Sequence, residues 1–289
     1  MKNFGLVLGG GGALGYSHIG VLKKFEENGI KPDFIVGCSM GSLIGALYCT
    51  GTKPEFIEKF VLNFNYKLFA DFSQDPRKFL FKGDNFLQAM KLLTGFKEFK
   101  DSDIPLYINA VENETGKEVL FESGSIAEAV RASSSLPWLF QPAEINGKKY
   151  VDGGIFDSIP VDFARKKGAD FIVAVGFRNC NKEKKCEKGF SMSKLGKSME
   201  NNKDVIGSIF KYLGIKDDAS LADIYNTISH SISILTTSEK SNSHEKADIF
   251  INPDVRQFKH LDFSKPEPII AAGYKAAENF IDNIKMSLK

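Results

Sequence analysis

The sequence contains no long apolar run. No stretch approaches the roughly 18 consecutive apolar residues that a membrane-spanning helix requires. The chain enters a short apolar run at residues 4–8, and glycines follow at once, so this run is too short for the apolar part of a secretory signal peptide. We therefore expect a cytoplasmic protein.

Cysteine and net charge are also scarce. Four cysteines in 289 residues fit free thiols better than a disulfide framework, and their spacing lacks the pattern of a zinc site. The formal net charge of +2 is too near neutral to favour a nucleic-acid partner, and no base-reading motif is present. We expect no nucleic acid among the partners. The cysteines are Cys38, Cys49, Cys180 and Cys186.

The remaining composition is globular, with 43% hydrophobic and 26% charged residues, which is enough for a large core. Residues 4–49 alternate between an apolar run, a glycine loop, helical periodicity, a second apolar run, a sharp turn and a second helix. This alternation predicts parallel strands joined by crossover helices in one α/β domain. Further strands are predicted at 106–112, 117–121, 171–177 and 248–252, and further helices at 125–133, 161–167, 220–235 and 268–286.

Gly37-Cys38-Ser39-Met40-Gly41 is a G-x-S-x-G pattern between a predicted strand and a predicted helix. A nucleophilic hydroxyl must project from a sharp turn, and glycine on both sides removes side chains that would collide there. The following helix points its amides and its dipole at the site. Serine is also a common helix N-cap, and the pattern alone does not separate the two interpretations.

The glycine run Gly9–Gly12, followed by Gly15, can present backbone N–H donors to an oxyanion without a Cβ in the way. Gly10-x-Gly12-x-x-Gly15 also matches a dinucleotide fingerprint, which requires an acidic residue at the end of the second strand. Asp33 instead precedes that strand, and the Ser39 turn occupies its end. No Walker lysine supports a P-loop.

A hydrolase serine needs a base, and histidine is the usual one. The sequence has only four histidines, and His260 best fits the Ser…Asp…His order, although nothing around it resembles a catalytic loop. Asp152 precedes Gly153 and Gly154, which would let its carboxylate approach another loop closely. Asp-Gly is also a common turn dipeptide. Without the other motifs, Asp152 would be interpreted as an ordinary turn residue. The other histidines are His18, His230 and His244.

Taken together and in this order, the glycine loop, the serine turn and Asp-Gly-Gly closely resemble the patatin-like phospholipase family, in its bacterial members. Residues 131–137 and 140–142 resemble the family segment before the catalytic aspartate, and 157–161 the segment after it. Residues 247–273 resemble its closing strand and helix. The resemblance covers nearly the whole chain and is weakest over 54–100 and 178–203.

The resemblance implies a single patatin-like domain over 1–289, with a three-layer α/β/α fold and a mainly parallel central sheet. It implies a Ser–Asp dyad without histidine, in which Ser39 is the nucleophile and Asp152 the base. Gly10, Gly11 and Gly12 would form the oxyanion hole, and neither a metal nor a cofactor is expected. Many family members carry arginine where Leu14 stands, so substrate preference could differ. The supporting motif residues are Gly15, Gly37, Met40, Gly41, Gly153 and Gly154.

Two segments look like additions to the domain. Residues 54–100 are rich in phenylalanine and lysine at partly helical spacing. Packing on the core explains most such stripes, and the alternative is an interfacial cap that contacts the inner face of a membrane. Residues 178–203 are polar and lysine-rich, and they are predicted to form a mobile loop.

Three classes of function remain open. The first is a lipid acyl hydrolase of the phospholipase A or lysophospholipase kind, which the motif set favours. The second is a soluble carboxylesterase or thioesterase that acts on short or CoA-linked acyl groups. The third is a non-catalytic lipid-binding protein. The substrate is therefore a lipid or another acyl ester, and the sequence leaves the oligomeric state open.

Overall fold

The computed structural model describes residues 2–63, 71–73, 79–177 and 239–289. Four sequence predictions lie outside these residues: the loop 178–203, the helix 220–235, the pair Cys180 and Cys186, and His230.

In the described part of the chain, eight strands, numbered in chain order, form one sheet, and seven of them follow the order β5-β6-β3-β2-β1-β7-β8. β4 pairs with β3 off this path. The strands are β1 Phe4–Leu8, β2 Phe34–Gly37, β3 Leu106–Glu112, β4 Glu118–Phe121, β5 Ala143–Ile145, β6 Lys148–Asp152, β7 Phe171–Val175 and β8 Ile249–Ile251.

The sheet is mixed, with a parallel centre. β1 pairs in parallel with β2 and with β7, and β2–β3 and β7–β8 are parallel too. The pairs β3–β4, β3–β6 and β5–β6 are antiparallel. The predicted parallel strands therefore form the middle of the sheet, where the carboxyl ends of β1 and β2 lie side by side.

The helices of the described residues cover both faces of this sheet. β1 is buried throughout: Phe4, Leu6 and Leu8 point into a large core, and Val7 points into a second core on the opposite face. The predicted three-layer α/β/α arrangement is confirmed. The α-helices are α1 Ser17–Glu27, α2 Met40–Cys49, α3 Pro54–Asn63, α4 Asp84–Leu93, α5 Ile126–Ser133, α6 Val161–Lys166, α7 Pro266–Glu278 and α8 Ile281–Leu288.

Two local features differ from the sequence prediction. The hairpin of β5 and β6 was not predicted, although Asn146-Gly147 between them is a strong turn signal. Both residues have positive φ, 52° and 75°, as a two-residue type I′ turn requires. The helix predicted over 268–286 is two helices, with the break at Asn279–Phe280.

The phenylalanine-rich segment 54–100 divides into buried and exposed side chains. The prediction that these phenylalanines pack on the core is right for Phe86 and Phe99, which are buried. It is also right for Phe60, which is partly buried against the main core. It is wrong for Phe56 and Phe96, which are 60% and 67% exposed. The buried face of α3 is instead formed by Pro54, Ile57 and Val61, so the Phe56/Phe60 spacing does not mark it. Phe64 and Phe69 lie outside the described residues.

Among the helices that the structure describes, none is both long and apolar enough to cross a membrane.

α1 and α7 pack in direct backbone contact through two glycines. A Cβ on Gly273 would lie 1.9 Å from the carbonyl oxygen of Ser17, and one on Gly20 would lie 2.0 Å from that of Ile270. No side chain fits at either position without separating the helices. This contact seats α7, near the end of the chain, on the helix that follows the glycine loop.

Gly273→Ala is expected to destabilise the protein by about 3 kcal/mol, at the upper end of overpacking costs. Helix propensity alone would stabilise it by about 1 kcal/mol, so the sign of the change separates the two effects. Urea unfolding followed by circular dichroism measures it. Asn283→Ala, at an exposed position of α8, is the control for propensity. A Gly273→Ala protein at least as stable as the wild type would contradict the contact.

Candidate active site

Ser39 lies at the turn between β2 and α2, and its backbone is strained. Its φ of 49° and ψ of −120° fall in a region that residues other than glycine rarely occupy. Such strain persists only where the surroundings hold it. Here the Ser39 N–H donates to Ser133 Oγ at 2.8 Å. The sequence prediction assigned no role to Ser133, which lies at the end of α5.

Close backbone contacts explain the glycines around Ser39. A Cβ on Gly41 would lie 2.0 Å from the carbonyl oxygen of Leu8, and one on Gly37 would lie 2.6 Å from Ser42 Cα. A Cβ on Gly15 would lie 2.4 Å from the Met40 side chain. α2 therefore begins directly against the end of β1, which brings Ser39 beside the glycine loop.

The Ser39 hydroxyl lies beside the Asp152 carboxylate and, as a hydrogen-bond donor toward it, lowers the pKa of that group. Asp152 ends β6, and its own N–H donates to the carbonyl of Ser135 at 3.0 Å. Its Oδ1 accepts the Gly154 N–H at 2.8 Å. The antiparallel pairing of β6 with β3 therefore delivers this carboxylate to a serine that the parallel strands position.

Asp152 is buried, with 3% of its surface exposed. Burial raises the pKa of this carboxyl from 3.8 to about 6, and the hydrogen bonds from Gly154 and Ser39 oppose the rise. The carboxylate is therefore a stronger base than an exposed aspartate, and it is still mostly ionised at neutral pH. This combination suits a group that must take a proton from a serine hydroxyl.

A polar cluster lies behind Asp152. Asn109 donates to the carbonyl of Asp157 at 3.0 Å and to Glu118 Oε1 at 3.3 Å. Burial raises the pKa of Asp157 to about 6 and that of Glu118 to about 7. A Cβ on Gly153 would lie 2.5 Å from Asn109 Oδ1, so only glycine lets the segment after Asp152 pack here. The amide of Asn109 thus supports the loop that carries the carboxylate.

Some backbone amides of the glycine loop donate hydrogen bonds within the fold, and others have no acceptor in the described residues. Gly9 and Gly10 donate to the carbonyls of Val175 and Ser158 at 2.9 and 2.8 Å, and Ala13 and Leu14 are bonded as well. Within the described residues, the Gly11 and Gly12 amides have no acceptor. Gly10 was predicted to be an oxyanion donor, and its N–H is already occupied, so the available loop donors are Gly11 and Gly12.

Gly10 has a different use in the site. A Cβ there would lie 3.3 Å from Ser39 Cβ and 3.4 Å from Cys38 Sγ, tighter than most such contacts. The absence of a side chain lets the serine turn approach the loop. The Met40 N–H, at the first position of α2, also has no backbone acceptor in the described residues, and it adjoins Ser39.

The described histidines do not pair with Ser39. His18 Nε2 bonds to the carbonyl of Gly9 at 2.8 Å, and His260 Nδ1 bonds to that of Gly11 at 3.0 Å. His244 packs against Phe250. His260, the alternative base, therefore contacts the glycine loop instead of the nucleophile. No group of three or more His, Cys, Asp or Glu in the described residues is placed to hold a metal ion.

The fold and the site define a class: an α/β protein with a strained serine that lies beside a buried aspartate, next to backbone amides without an acceptor in the described residues. Residues 6–165 match the family model of the patatin-like phospholipases. This match covers more than half of the chain, and the chain belongs to the patatin-like phospholipase family. The family prediction is confirmed.

The sequence relatives include fungal lysophospholipases. The chain is 28% identical over 295 residues to Lysophospholipase NTE1 of Meyerozyma guilliermondii, covering 99% of this chain and 20% of that protein. It is 29% identical over 292 residues to Lysophospholipase NTE1 of Coccidioides immitis, covering 98% and 18%. The chain thus spans about one fifth of these relatives, and they do not support a specifically bacterial member.

A solved structure with a similar fold is the crystal structure of VipD from Legionella pneumophila. It matches with a TM-score of 0.50 and 15% sequence identity, over 98% of this chain and 67% of that chain. At this identity the likeness concerns the fold alone. It agrees with the predicted patatin-like α/β architecture.

The pKa of Asp152 near 6 sets the expected acid limit of turnover. A protonated carboxyl cannot accept the Ser39 proton, so kcat/KM for a soluble ester should fall about tenfold per pH unit below about pH 6. The measurement is a pH–rate profile, with circular dichroism at each pH to show that the protein is folded. A flat profile down to about pH 4 would contradict the assignment.

Asp152→Asn is expected to be more stable than the wild type by about 1–3 kcal/mol at about pH 8. The folded-state pKa of about 6 exceeds the ordinary aspartate value of 3.8, so the wild type loses stability as the pH rises from 3.8 through about 6. Asparagine carries no charge, so the variant does not lose this stability. Its advantage over the wild type in free energy of unfolding should be smaller near pH 4.5. Urea unfolding at both pH values measures it, with the exposed Asp282→Asn as control. An advantage that does not depend on pH would argue against a buried charge.

Proposed function

We propose that this chain is a serine acyl hydrolase that cleaves acyl esters of lipids, in the manner of a phospholipase A or lysophospholipase. One observation carries the proposal: the Ser39 hydroxyl lies beside a buried Asp152 carboxylate, close enough to lower its pKa as a hydrogen-bond donor. The unbonded amides of Gly11 and Gly12 lie in the adjacent loop. Nucleophile, base and oxyanion donors are the three parts that acyl transfer requires.

The reaction in this proposal has two halves. Ser39 Oγ attacks the ester carbonyl carbon while its proton passes to Asp152, and the Gly11 and Gly12 amides stabilise the oxyanion. The intermediate collapses, the C–O bond to the alcohol breaks, and Asp152 returns the proton to the leaving alcohol. Water then attacks the acyl-serine and gives its proton to Asp152. The fatty acid leaves, and the proton returns to Ser39.

The lipid nature of the substrate rests on family membership and on relatives that are named lysophospholipases. A carboxylesterase or thioesterase with the same dyad is the second candidate, because the catalytic parts do not distinguish acyl groups. The third candidate, a non-catalytic lipid-binding protein, is disfavoured because Ser39 and a buried Asp152 are both present and lie side by side. We also propose that 1–289 is one domain, since β8 and α7 complete the sheet and the core.

Ser39→Ala and Asp152→Asn are each expected to lower kcat by at least about 10³-fold, and the double variant little further, since residues that act as a unit are non-additive. Fluorophosphonate labelling should mark the wild type and fail in Ser39→Ala. Ser287→Ala and Asp282→Asn on α8 are the matched controls. A wild type without labelling or turnover on any acyl ester would overturn the catalytic proposal.

A chain-length series separates the two enzymatic candidates. p-Nitrophenyl esters of increasing acyl length, acyl-CoA thioesters, lysophospholipids and diacyl phospholipids are compared by kcat/KM. A lipid acyl hydrolase should prefer long chains and lysophospholipids or phospholipids. A preference for short esters or for thioesters would transfer the assignment to the second candidate.

We further propose a peripheral contact with the inner face of a membrane, centred on Trp138. This tryptophan is 72% exposed. Its φ is 70°, a conformation that costs a residue other than glycine about 1 kcal/mol. Its carbonyl accepts the Leu80 N–H at 3.0 Å, and the next carbonyl accepts that of Phe81, which fixes the turn. Trp138 is three residues from Ser135, which contacts Asp152, so at most about 11 Å of chain separates them. Tryptophan favours membrane interfaces.

Trp138 is the single tryptophan of the chain, so its fluorescence reports on this site alone. Phosphatidylcholine–phosphatidylglycerol vesicles are expected to shift its emission to the blue, and brominated lipids to quench it. Trp138→Gly should keep or raise stability, since glycine adopts this φ freely. It should also lower vesicle hydrolysis several-fold while soluble-ester hydrolysis is unchanged. Unshifted emission with vesicles would overturn the contact.

Phe96→Gly is the matched control, because Phe96 is also an exposed aromatic at positive φ. The Nζ of Lys97 donates to the carbonyl of Thr50, which places Phe96 beside the far end of α2. Ten helical residues separate that end from Ser39 by about 15 Å. Vesicle hydrolysis should be unaffected by this substitution. An equal loss in both variants would mean that Trp138 is not the specific contact.

A further inference from the structure

His260 lies 249 positions from Gly11 in sequence and contacts the glycine loop twice. Its Nδ1 bonds to the carbonyl oxygen of Gly11 at 3.0 Å, and its own carbonyl accepts the Ala13 N–H at 2.8 Å. A carbonyl can only accept, so Nδ1 carries the hydrogen and donates. The imidazole and the backbone of one residue thus hold both ends of the segment 11–13.

The His260 contact controls one particular peptide plane. In a trans peptide the C=O of one residue and the N–H of the next point in opposite directions. A Gly11 carbonyl held toward His260 therefore directs the Gly12 N–H away from His260. That N–H is one of the two loop amides without an acceptor in the described residues. The contact also polarises the peptide and strengthens its N–H as a donor.

We infer that His260 is a positioning residue for the oxyanion hole, holding the Gly11–Gly12 peptide so that the Gly12 N–H faces the reacting carbonyl. The inference rests on the proposed acyl-transfer function. His260 touches neither the nucleophile nor the base in the described contacts, and its effect is transmitted through the backbone of the loop.

The surroundings of His260 suit this role. It is 8% exposed, and burial lowers its pKa, so the ring is neutral at pH 7 and keeps a single N–H for Gly11. The turn around it is held by Asp262, whose carboxylate accepts the Lys259 N–H at 2.9 Å. A Cβ on Gly12 would lie 2.3 Å from the His260 carbonyl oxygen, so the backbones of these two segments are in direct contact. His260 is therefore fixed before substrate arrives.

His18 makes the analogous bond to Gly9 and provides a contrast. Its Nε2 bonds to the Gly9 carbonyl at 2.8 Å, which orients the Gly9–Gly10 peptide. The N–H of that peptide is already bonded to the Ser158 carbonyl. His18 thus stabilises a peptide whose donor is used within the fold, whereas His260 holds one whose donor is unoccupied. Only the second arrangement bears directly on an oxyanion.

The test compares His260→Leu with His260→Asn. Asparagine carries an N–H donor on the same Cγ as the histidine Nδ1, and leucine carries none. On a soluble p-nitrophenyl ester, His260→Leu is expected to lower kcat about 10–100-fold with KM nearly unchanged, less than the loss of a whole oxyanion donor. His260→Asn is expected to recover most of kcat. His244→Leu controls for the loss of a buried histidine away from the loop.

Amide hydrogen exchange of the peptide 9–16, followed by mass spectrometry, gives a readout that does not depend on turnover. Exchange should rise in His260→Leu and stay near wild type in His260→Asn. A folded His260→Leu with wild-type kcat, or an Asn variant as impaired as the Leu variant, would overturn the inference. Should the wild type lack turnover, the proposed function fails, and unchanged exchange in His260→Leu would then overturn this inference separately.

Discussion

The site depends on a carboxylate that has been removed from water and left with few partners. Asp152 is buried at the end of an antiparallel strand, where its Oδ1 accepts the Gly154 N–H and the Ser39 hydroxyl lies beside its carboxylate. Desolvation makes it basic, and its position makes the serine hydroxyl the group that benefits. The relative position of the parallel strands that hold Ser39 and the hairpin that holds Asp152 must therefore be closely fixed. The glycines at 37, 41 and 153 permit that meeting, because any side chain there would collide with a neighbour.

These features work against stability. A non-glycine residue at positive φ, a buried charge and two further acids with raised pKa values each cost free energy in the folded state. The fold sustains them with a core on each face of the sheet and with backbone contacts between α1 and α7. Optimising the site for stability alone would replace Asp152 and relax Ser39. Both changes would remove the groups proposed to carry the chemistry.

Much of the centre of the fold could be predicted from sequence, because it obeys local rules. The periodicity of residues 4–49 predicts the first two strands and helices. The pairing of Ser39 with Asp152 is implied by the resemblance to the patatin-like phospholipase family. The β5–β6 hairpin was accessible from Asn146-Gly147 and was missed. The roles of Ser133 and His260 could not be reached, since each depends on a partner far away in sequence. Gly10 was misassigned because a glycine pattern does not show which amide already has an acceptor.

The contact between Gly11 and His260 has a consequence for the order in which the site is completed. The glycine loop leaves the ribosome nearly 250 residues before the segment that clamps it and before the helix seated on α1 through Gly273. Contacts of such long range form slowly, and they form last when the chain is still growing. A nascent chain would thus hold its serine and its aspartate before its loop is fixed. The proposed oxyanion hole would therefore be completed only when the segment around His260 has been made and has folded back onto the loop.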